Sequence, residues 1–235
     1  VIENKYRKYI IFSADDFGKS ELANSRILNL AEAGKLDRVS VMANGNFSQQ
    51  EIRRIKKTGV KLDIHLDLAN VPRRERKLKK GILGRGAVFL LKHLGSREYR
   101  KEKLRIKWTE QIEKFHKLFG CYPDGINSHQ HVHLFGRYFL MALELSQKYG
   151  IPYFRFAKKD LLGSKTNIRR IIYFLWKRDR IIFRRKKLDG PDYFASLDWV
   201  EDIDKFQKNI PEGKTELACH PERLEEYNLV KDSIR

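Results

Sequence analysis

An α/β fold built on a mainly parallel sheet is what this 235-residue sequence predicts. Two patterns point there. Short β-rich runs alternate with longer runs of helical spacing along the whole chain, and polar residues cluster where the β-rich runs end. A third observation narrows the class: no glycine-rich phosphate loop follows the first β-rich run, so a dinucleotide-binding fold has no support. No internal repeat or low-complexity linker breaks the chain, and its length suits one domain over 1–235.

The elements follow in order. Residues 9–14 form a β-rich run. Residues 20–33 carry Leu22, Ile27, Leu30 and Ala31 near helical spacing, with Gly34 as the stop. Residues 38–42 read as a second strand and 49–57 as a helix stopped by Gly59. Residues 60–68 alternate apolar with polar side chains, the mark of a third strand. A basic loop over 69–86 contains Pro72, Gly81, Gly84 and Gly86. Leu104, Trp108, Ile112, Phe115 and Phe119 then make one apolar stripe at spacings of three and four, an amphipathic helix. Residues 125–128 give a short strand and 138–149 a helix ending at Gly150. Residues 152–156, 193–195 and 215–218 complete the strand set, and 165–187 read as a helix.

Lys and Arg number 49 against 30 Asp and Glu, a formal net charge of +19. The excess is local: residues 73–107 carry +11 and 165–187 carry +9, while the other 177 residues sum to −1. Such segments suit phosphate, nucleic acid or anionic lipid. No apolar run approaches the ~18 residues of a membrane span. The two cysteines, Cys121 and Cys219, form no CxxC and fit free thiols in a reducing compartment.

Five of the seven histidines fall at strand ends, beside carboxylates. In parallel α/β folds the carboxyl ends of strands are where sites assemble. Asp15 and Asp16 follow the first strand, and His65 lies near the end of the third. His129, His131 and His133 follow the 125–128 strand, and His220 closes the last. If the HxHxH segment is extended, its three histidines share a face; on a helix only His129 and His133 do. Imidazole with carboxylate suits a first-row divalent metal, and two His plus one Asp leave a position open, as catalytic sites do.

The stretches Ser13-Ala14-Asp15-Asp16-Phe17-Gly18, Ile64-His65-Leu66-Asp67-Leu68, Asn127-Ser128-His129-Gln130-His131-Val132-His133 and Cys219-His220-Pro221 resemble, in order and spacing, the YdjC-like carbohydrate deacetylases. That family includes chitooligosaccharide and hopanoid-biosynthesis deacetylases. The resemblance implies a single-domain (β/α) barrel-like fold, a distorted or incomplete TIM-type barrel. It also implies metal-dependent removal of an acetyl group from an N-acetyl amino sugar. By the same resemblance Asp16, His65 and His129 match the metal ligands, Asp15 the catalytic base and His220 the acid. His131 and His133 would contact substrate or support the ligands. The family usually has Asp where this chain has Asn127, which can accept a hydrogen bond but carries no charge. The resemblance points to magnesium, whereas ligand preference points to zinc; a homodimer is a family-level expectation.

The basic segments refine the expected substrate. The 69–86 loop follows the His65 strand, so Arg73 and Arg74 would border the site. The 165–187 helix interleaves apolar side chains with ten cations, the composition of an interfacial helix. The expected partner is therefore an N-acetyl amino sugar that is lipid- or polyprenyl-phosphate-linked. It would be met by a cytoplasmic enzyme peripheral to the inner, anionic membrane face. Two other classes fit parts of the pattern: a metallo-phosphoesterase, which a His/Asp metal site beside a basic loop also suits, and a non-catalytic nucleic-acid-binding module. The latter has cations but no recognition motif and leaves the histidines unexplained, so nucleic acid is not the expected partner.

Overall fold

The computed structural model describes residues 1–68, 101–163, 167–186 and 188–233. The basic loop expected at 69–86, with Arg73 and Arg74, lies outside the described residues. Eight strands among those described join in one sheet: β1 (Ile10–Phe17), β2 (Arg38–Val41), β3 (Lys61–Leu66), β4 (Gly125–Ser128), β5 (Tyr153–Phe154), β6 (Asp160–Leu161), β7 (Tyr193–Ser196) and β8 (Thr215–Cys219). Their spatial order is β5-β4-β3-β2-β1-β8-β7-β6, and every neighbouring pair is parallel.

The sheet curls into an incomplete barrel, as the family resemblance implied. Its edge strands β5 and β6 do not pair with each other. The chain leading into β7 bridges toward β5 instead: Phe154 N donates to Asp189 O at 2.8 Å and Asp189 N to Pro152 O at 3.0 Å. Two-residue β6 and the C-terminal helix at Leu224–Asp232 are elements the sequence pattern did not delimit.

The helices are α1 (Asn4–Arg7), α2 (Glu21–Glu32), α3 (Gln49–Lys57), α4 (Lys101–Phe119), α5 (Gly136–Lys148), α6 (Asn167–Arg184), α7 (Ile203–Lys208) and α8 (Leu224–Asp232). Local chemistry sets their starts. Ser20 caps α2 through Ala23 N, and Ser48 with Glu51 forms a capping box on α3. The apolar stripe of α4 is buried as its spacing predicts, with Leu104, Trp108, Ile112, Phe115 and Phe119 all at 1% exposure or less. Such burial contributes roughly 1.5–3 kcal/mol for each large side chain. On α6, Ile172, Trp176 and Phe183 are buried, and Trp176 Nε1 donates to Ala157 O at 2.7 Å.

Inward-facing positions of the barrel are polar over much of its height. Ser13 and Asp15 of β1, Ser40 of β2, Asp63 and His65 of β3, Asn127 of β4 and Glu216 of β8 are all buried. Side chains two apart on a strand share a face, so this inner layer is a hydrogen-bonded network where barrels usually pack Val, Ile and Leu. At its lower end Arg38 donates two bonds to Asp63, at 2.8 and 2.5 Å, with its guanidinium 3.7 Å from the centre of the Tyr153 ring.

Candidate functional site

The site assembles at the carboxyl end of β1. The strand runs through Phe17, so Asp15 and Asp16 are strand residues rather than the start of the next loop. Its register with β2 shifts between Ala14 and Phe17, and Asp16 has φ 73°. A left-handed, non-glycine residue at a bulge is a strained conformation that persists only where its surroundings enforce it. Its effect is to send two adjacent carboxylates in different directions.

Asp16 meets the histidines. Its Oδ1 accepts from His129 Nδ1 at 2.9 Å and lies 3.4 Å from His65 Nε2. Its Oδ2 accepts from Lys19 Nζ at 2.9 Å, and Lys19 also reaches Glu222 at 2.8 Å. Asp16, His65 and His129 each offer one ligand atom, and these atoms lie within 4.8 Å of one another. Burial alone would raise the Asp16 pKa, but bonds from His129 and His65 hold it far below the carboxylate range. For His65, burial works downward while Asp15 and Asp16 raise it, and the balance is a raised pKa.

Asn127 sets the His65 tautomer. Asn127 Nδ2 donates to Ser40 Oγ at 2.9 Å, which turns its Oδ1 toward His65 Nδ1 at 2.5 Å. With Nδ1–H engaged there, Nε2 is the nitrogen that faces Asp16. A carboxylate oxygen looking at two imidazole nitrogens needs a cation between them, either protons or a metal ion. The three residues therefore fit a divalent ion.

Asp15 points the other way, into the barrel. Arg155, which follows β5, donates from Nη1 to Asp15 Oδ2 at 2.7 Å and from Nη2 to Asp15 Oδ1 at 2.8 Å. The same guanidinium reaches Ser13 Oγ at 2.5 Å, Ser40 Oγ at 2.9 Å and Glu216 Oε1 at 2.6 Å. Tyr153 completes Glu216 by donating to its Oε2 at 2.7 Å. Burial would raise the Asp15 pKa, but Arg155, His65 and His220 outweigh it and hold the carboxyl well below its usual range. Arg155 is 1% exposed and is the functional residue that sequence reasoning missed. The available signal was a lone arginine inside the aromatic run Tyr153-Phe154-Arg155-Phe156.

The HxHxH segment does not act as one face. It forms a 3-10 turn, His129–Leu134, in which Gln130 and His131 both have φ 55°. Only His129 joins Asp16. His131 turns toward β7, edge-on to Phe194 and to Trp199, both at 5.4 Å, and its buried Nδ1 has no hydrogen-bond partner. Burial and Arg155 push its pKa down to about 3. His133 is buried, with Ser128 Oγ 2.8 Å from Nδ1 and the Arg155 carbonyl 3.0 Å from Nε2, so it pins the backbone that carries Arg155. The Ser196 hydroxyl, at the end of β7, is likewise buried without a partner.

His220 follows β8. Its Nδ1 is 3.5 Å from Glu226 Oε2, which accepts the His220 backbone N–H at 2.6 Å. Burial lowers its pKa, but Glu226, Asp15 and Asp16 outweigh that and raise it. Asp15, Asp16, His65, His129, Asn127 and His220 thus lie at the mouth of one barrel. Cys219 is buried and Cys121 exposed, both as free thiols.

Comparison with known proteins places the chain in a family. The chain is 29% identical over 166 residues to the chitooligosaccharide deacetylase of Proteus mirabilis, a match that covers 68% of this chain and 62% of that protein. It is 26% identical over 228 residues to a carbohydrate deacetylase of Clostridium beijerinckii, covering 95% of this chain and 85% of that protein. A crystal structure of an Enterococcus faecalis protein shares the fold, with a TM-score of 0.59 at 19% identity over 90% of this chain and 80% of that one. Residues 9–232 match the YdjC-like family, a span that runs from the first strand into the last helix and takes in all four motifs. The chain belongs to the YdjC-like protein family.

Proposed function

We propose that this protein is a metal-dependent hydrolase that removes the N-acetyl group from an N-acetylated amino sugar. The observation that carries the reading is the division between two adjacent acids: Asp16 faces His65 and His129, while Asp15 is held apart by Arg155. The named deacetylases among the relatives supply the substrate class.

Asp16, His65 and His129 would hold one divalent ion, which supplies Lewis acidity toward the amide carbonyl and toward water. The chain's own groups do the rest. Asp15 is the base. Each of its oxygens accepts one bond from Arg155 and retains a lone pair, so it can still take a proton from the attacking water. Arg155 keeps it ionised and aimed. His220 is the acid: its raised pKa keeps a proton available for the departing amine. In this reading His131, held neutral with an unpaired Nδ1, and Ser196, whose buried hydroxyl is also unpaired, contact the sugar. His133 fixes the Arg155 backbone, and Asn127 fixes the His65 tautomer.

The substrate in this reading is lipid- or polyprenyl-phosphate-linked. Support comes from α6, which packs on the turn that carries His129. Its Phe174 and Ile181 are 70% and 62% exposed and lie seven residues apart, with exposed Arg170, Lys177 and Arg178 around them. An anionic membrane face accommodates that combination. No helix among the described residues is long and apolar enough to cross a membrane.

An acetate-release screen over N-acetyl sugars, free and lipid-linked, tests the function. Chelation should stop turnover, and reloading with magnesium or zinc should restore it with the native ion. Phosphate release from simple esters with no acetate from any N-acetyl sugar would instead support a metallo-phosphoesterase.

A further inference from the structure

A cavity of about 500 Å³ opens at the amino end of the barrel, the end away from the metal-ligating cluster. Arg38 and Lys61 line it from the first positions of β2 and β3, Lys214 from just before β8, and Arg7 and Lys8 from the end of α1. The described residues on either side of 69–100 stand at the opposite mouth, where Trp108 Nε1 of α4 donates to Asp67 O, just past β3, at 3.0 Å. We propose that this cavity binds a small soluble phosphate monoester. The proposal stands apart from the deacetylase reading.

Charge carries the assignment. The described residues of the lining supply five cations and one carboxylate, Asp37. Three of the five cations are paired. Arg7 meets Asp37 at 2.8 Å, Arg38 meets Asp63, and Lys61 meets Asp124 at 2.9 Å. The Lys61 pair is exposed on both sides, and such pairs are weak. Lys8 and Lys214 have no carboxylate partner among the described residues. Lys214 Nζ donates instead to Lys8 O at 2.8 Å, and Lys8 Nζ lies 4.8 Å from the centre of the Tyr9 ring. Neither contact cancels a unit charge, and the first holds the two lysines together at one rim. A phosphate monoester carries about two negative charges at neutral pH, which matches the two cations left uncompensated.

Arg38 adds a donor deeper in the cavity. It is only 9% exposed. Its Nε and Nη2 are engaged by Asp63 and its guanidinium lies over the Tyr153 ring, while Nη1 has no partner among the described residues. A guanidinium with a free N–H in a recess suits a phosphate oxygen. The recess also separates ligand sources. A phosphate group must pass the lysine rim to reach Arg38, which a small soluble molecule can do and a headgroup packed in a bilayer surface cannot. The adjoining wall is fixed before a ligand arrives. Arg7 Nη1 donates to Ile10 O at 2.6 Å, and Asp37 Oδ2 accepts from Arg7 Nη2 at 2.8 Å and from Phe12 N at 2.7 Å. Such fixed walls lower the ordering cost of binding. The volume falls within the range of small-molecule sites.

The test is an NMR titration of the metal-loaded wild-type protein with glycerol 3-phosphate. Saturable shifts are expected at the backbone amides of Lys8, Ile11 and Lys214, which line the cavity, and at Arg38 Nε–H. The Lys8→Gln/Lys214→Gln double substitution should weaken binding at least about tenfold. Both side chains are exposed, so circular dichroism and metal content should stay as in the wild type. Absence of saturable shifts, or shifts that sodium chloride reproduces at the same ionic strength, overturns the site. Shifts confined to Lys19, His65 and His129 overturn it too, because they place the ligand at the metal. Unchanged affinity in the double variant overturns the charge assignment. Shifts from vesicles containing phosphatidic acid, with none from glycerol 3-phosphate, overturn the soluble class of ligand.

Discussion

Asp15 and Asp16 are adjacent in sequence and opposite in surroundings. One carboxylate receives two bonds from a buried guanidinium; the other receives imidazole and lysine. The left-handed backbone at Asp16 produces the separation. Asn127 is the most informative single substitution, because it supports His65 without touching a ligand atom directly across from it. Asn127→Ala should weaken divalent-ion binding roughly 10–100-fold, the usual cost of removing such support, as read by calorimetric metal titration. His220 gives a pH signature. Its pKa is raised in the folded protein, so its contribution to stability is full below about 6.5 and is lost as pH rises through the folded value. A proton-donating role follows the same sign: kcat should fall through that higher pKa, and His220→Gln should remove that alkaline limb. A kcat profile unchanged by the substitution would contradict the role. Most of these residues were legible because each ends a β-rich run. Arg155, just past β5, and Ser196, at the end of β7, were not, since neighbours across the barrel are set by how the sheet curls and not by local spacing.

Among the elements, β1 and α6 show what pattern reading captures and what it misses. Alternation identified the third strand and β-rich composition the first, but neither pattern says that Ser13, Asp15, Asp63 and His65 share one buried inner layer. In the curled sheet they face inward, where Ser13 and Asp15 accept from Arg155, Asp63 accepts from Arg38 and His65 meets Asn127. The HxHxH segment failed as a periodic motif for a related reason. The two left-handed residues Gln130 and His131 break both helix and strand, so His129, His131 and His133 reach three different environments. Two-residue β6 is too short for alternation to register. Helix α6 was legible, with its apolar positions split between a buried set at Ile172, Trp176 and Phe183 and an exposed pair at Phe174 and Ile181. That pair makes a prediction at this scale. The wild-type protein should co-sediment with anionic liposomes at low salt, and the Phe174→Ser/Ile181→Ser double substitution should release it without unfolding α6. No sedimentation of the wild type would contradict the membrane reading.

At the scale of the whole molecule, a net charge of +19 surrounds an interior in which charges are closely paired. Arg155 serves Asp15 and Glu216 together, and Arg38 serves Asp63. Removing one member of such a buried set leaves a charge unpaired and typically costs about 3–5 kcal/mol, so the network fixes the mouth of the barrel as well as its core. The fold class followed from strand–helix alternation, while the incomplete barrel followed only from the family resemblance, because the strand sequences carry no record of how the sheet curls. The most direct test of the central claim, that Asp15 does proton transfer while Asp16, His65 and His129 hold the ion, is the turnover of Asp15→Asn measured beside its metal content and circular dichroism. The account predicts a folded protein that retains its metal and loses roughly 10²–10⁴-fold in kcat for acetate release. Wild-type turnover in that variant, or loss of the metal with the activity, would contradict it.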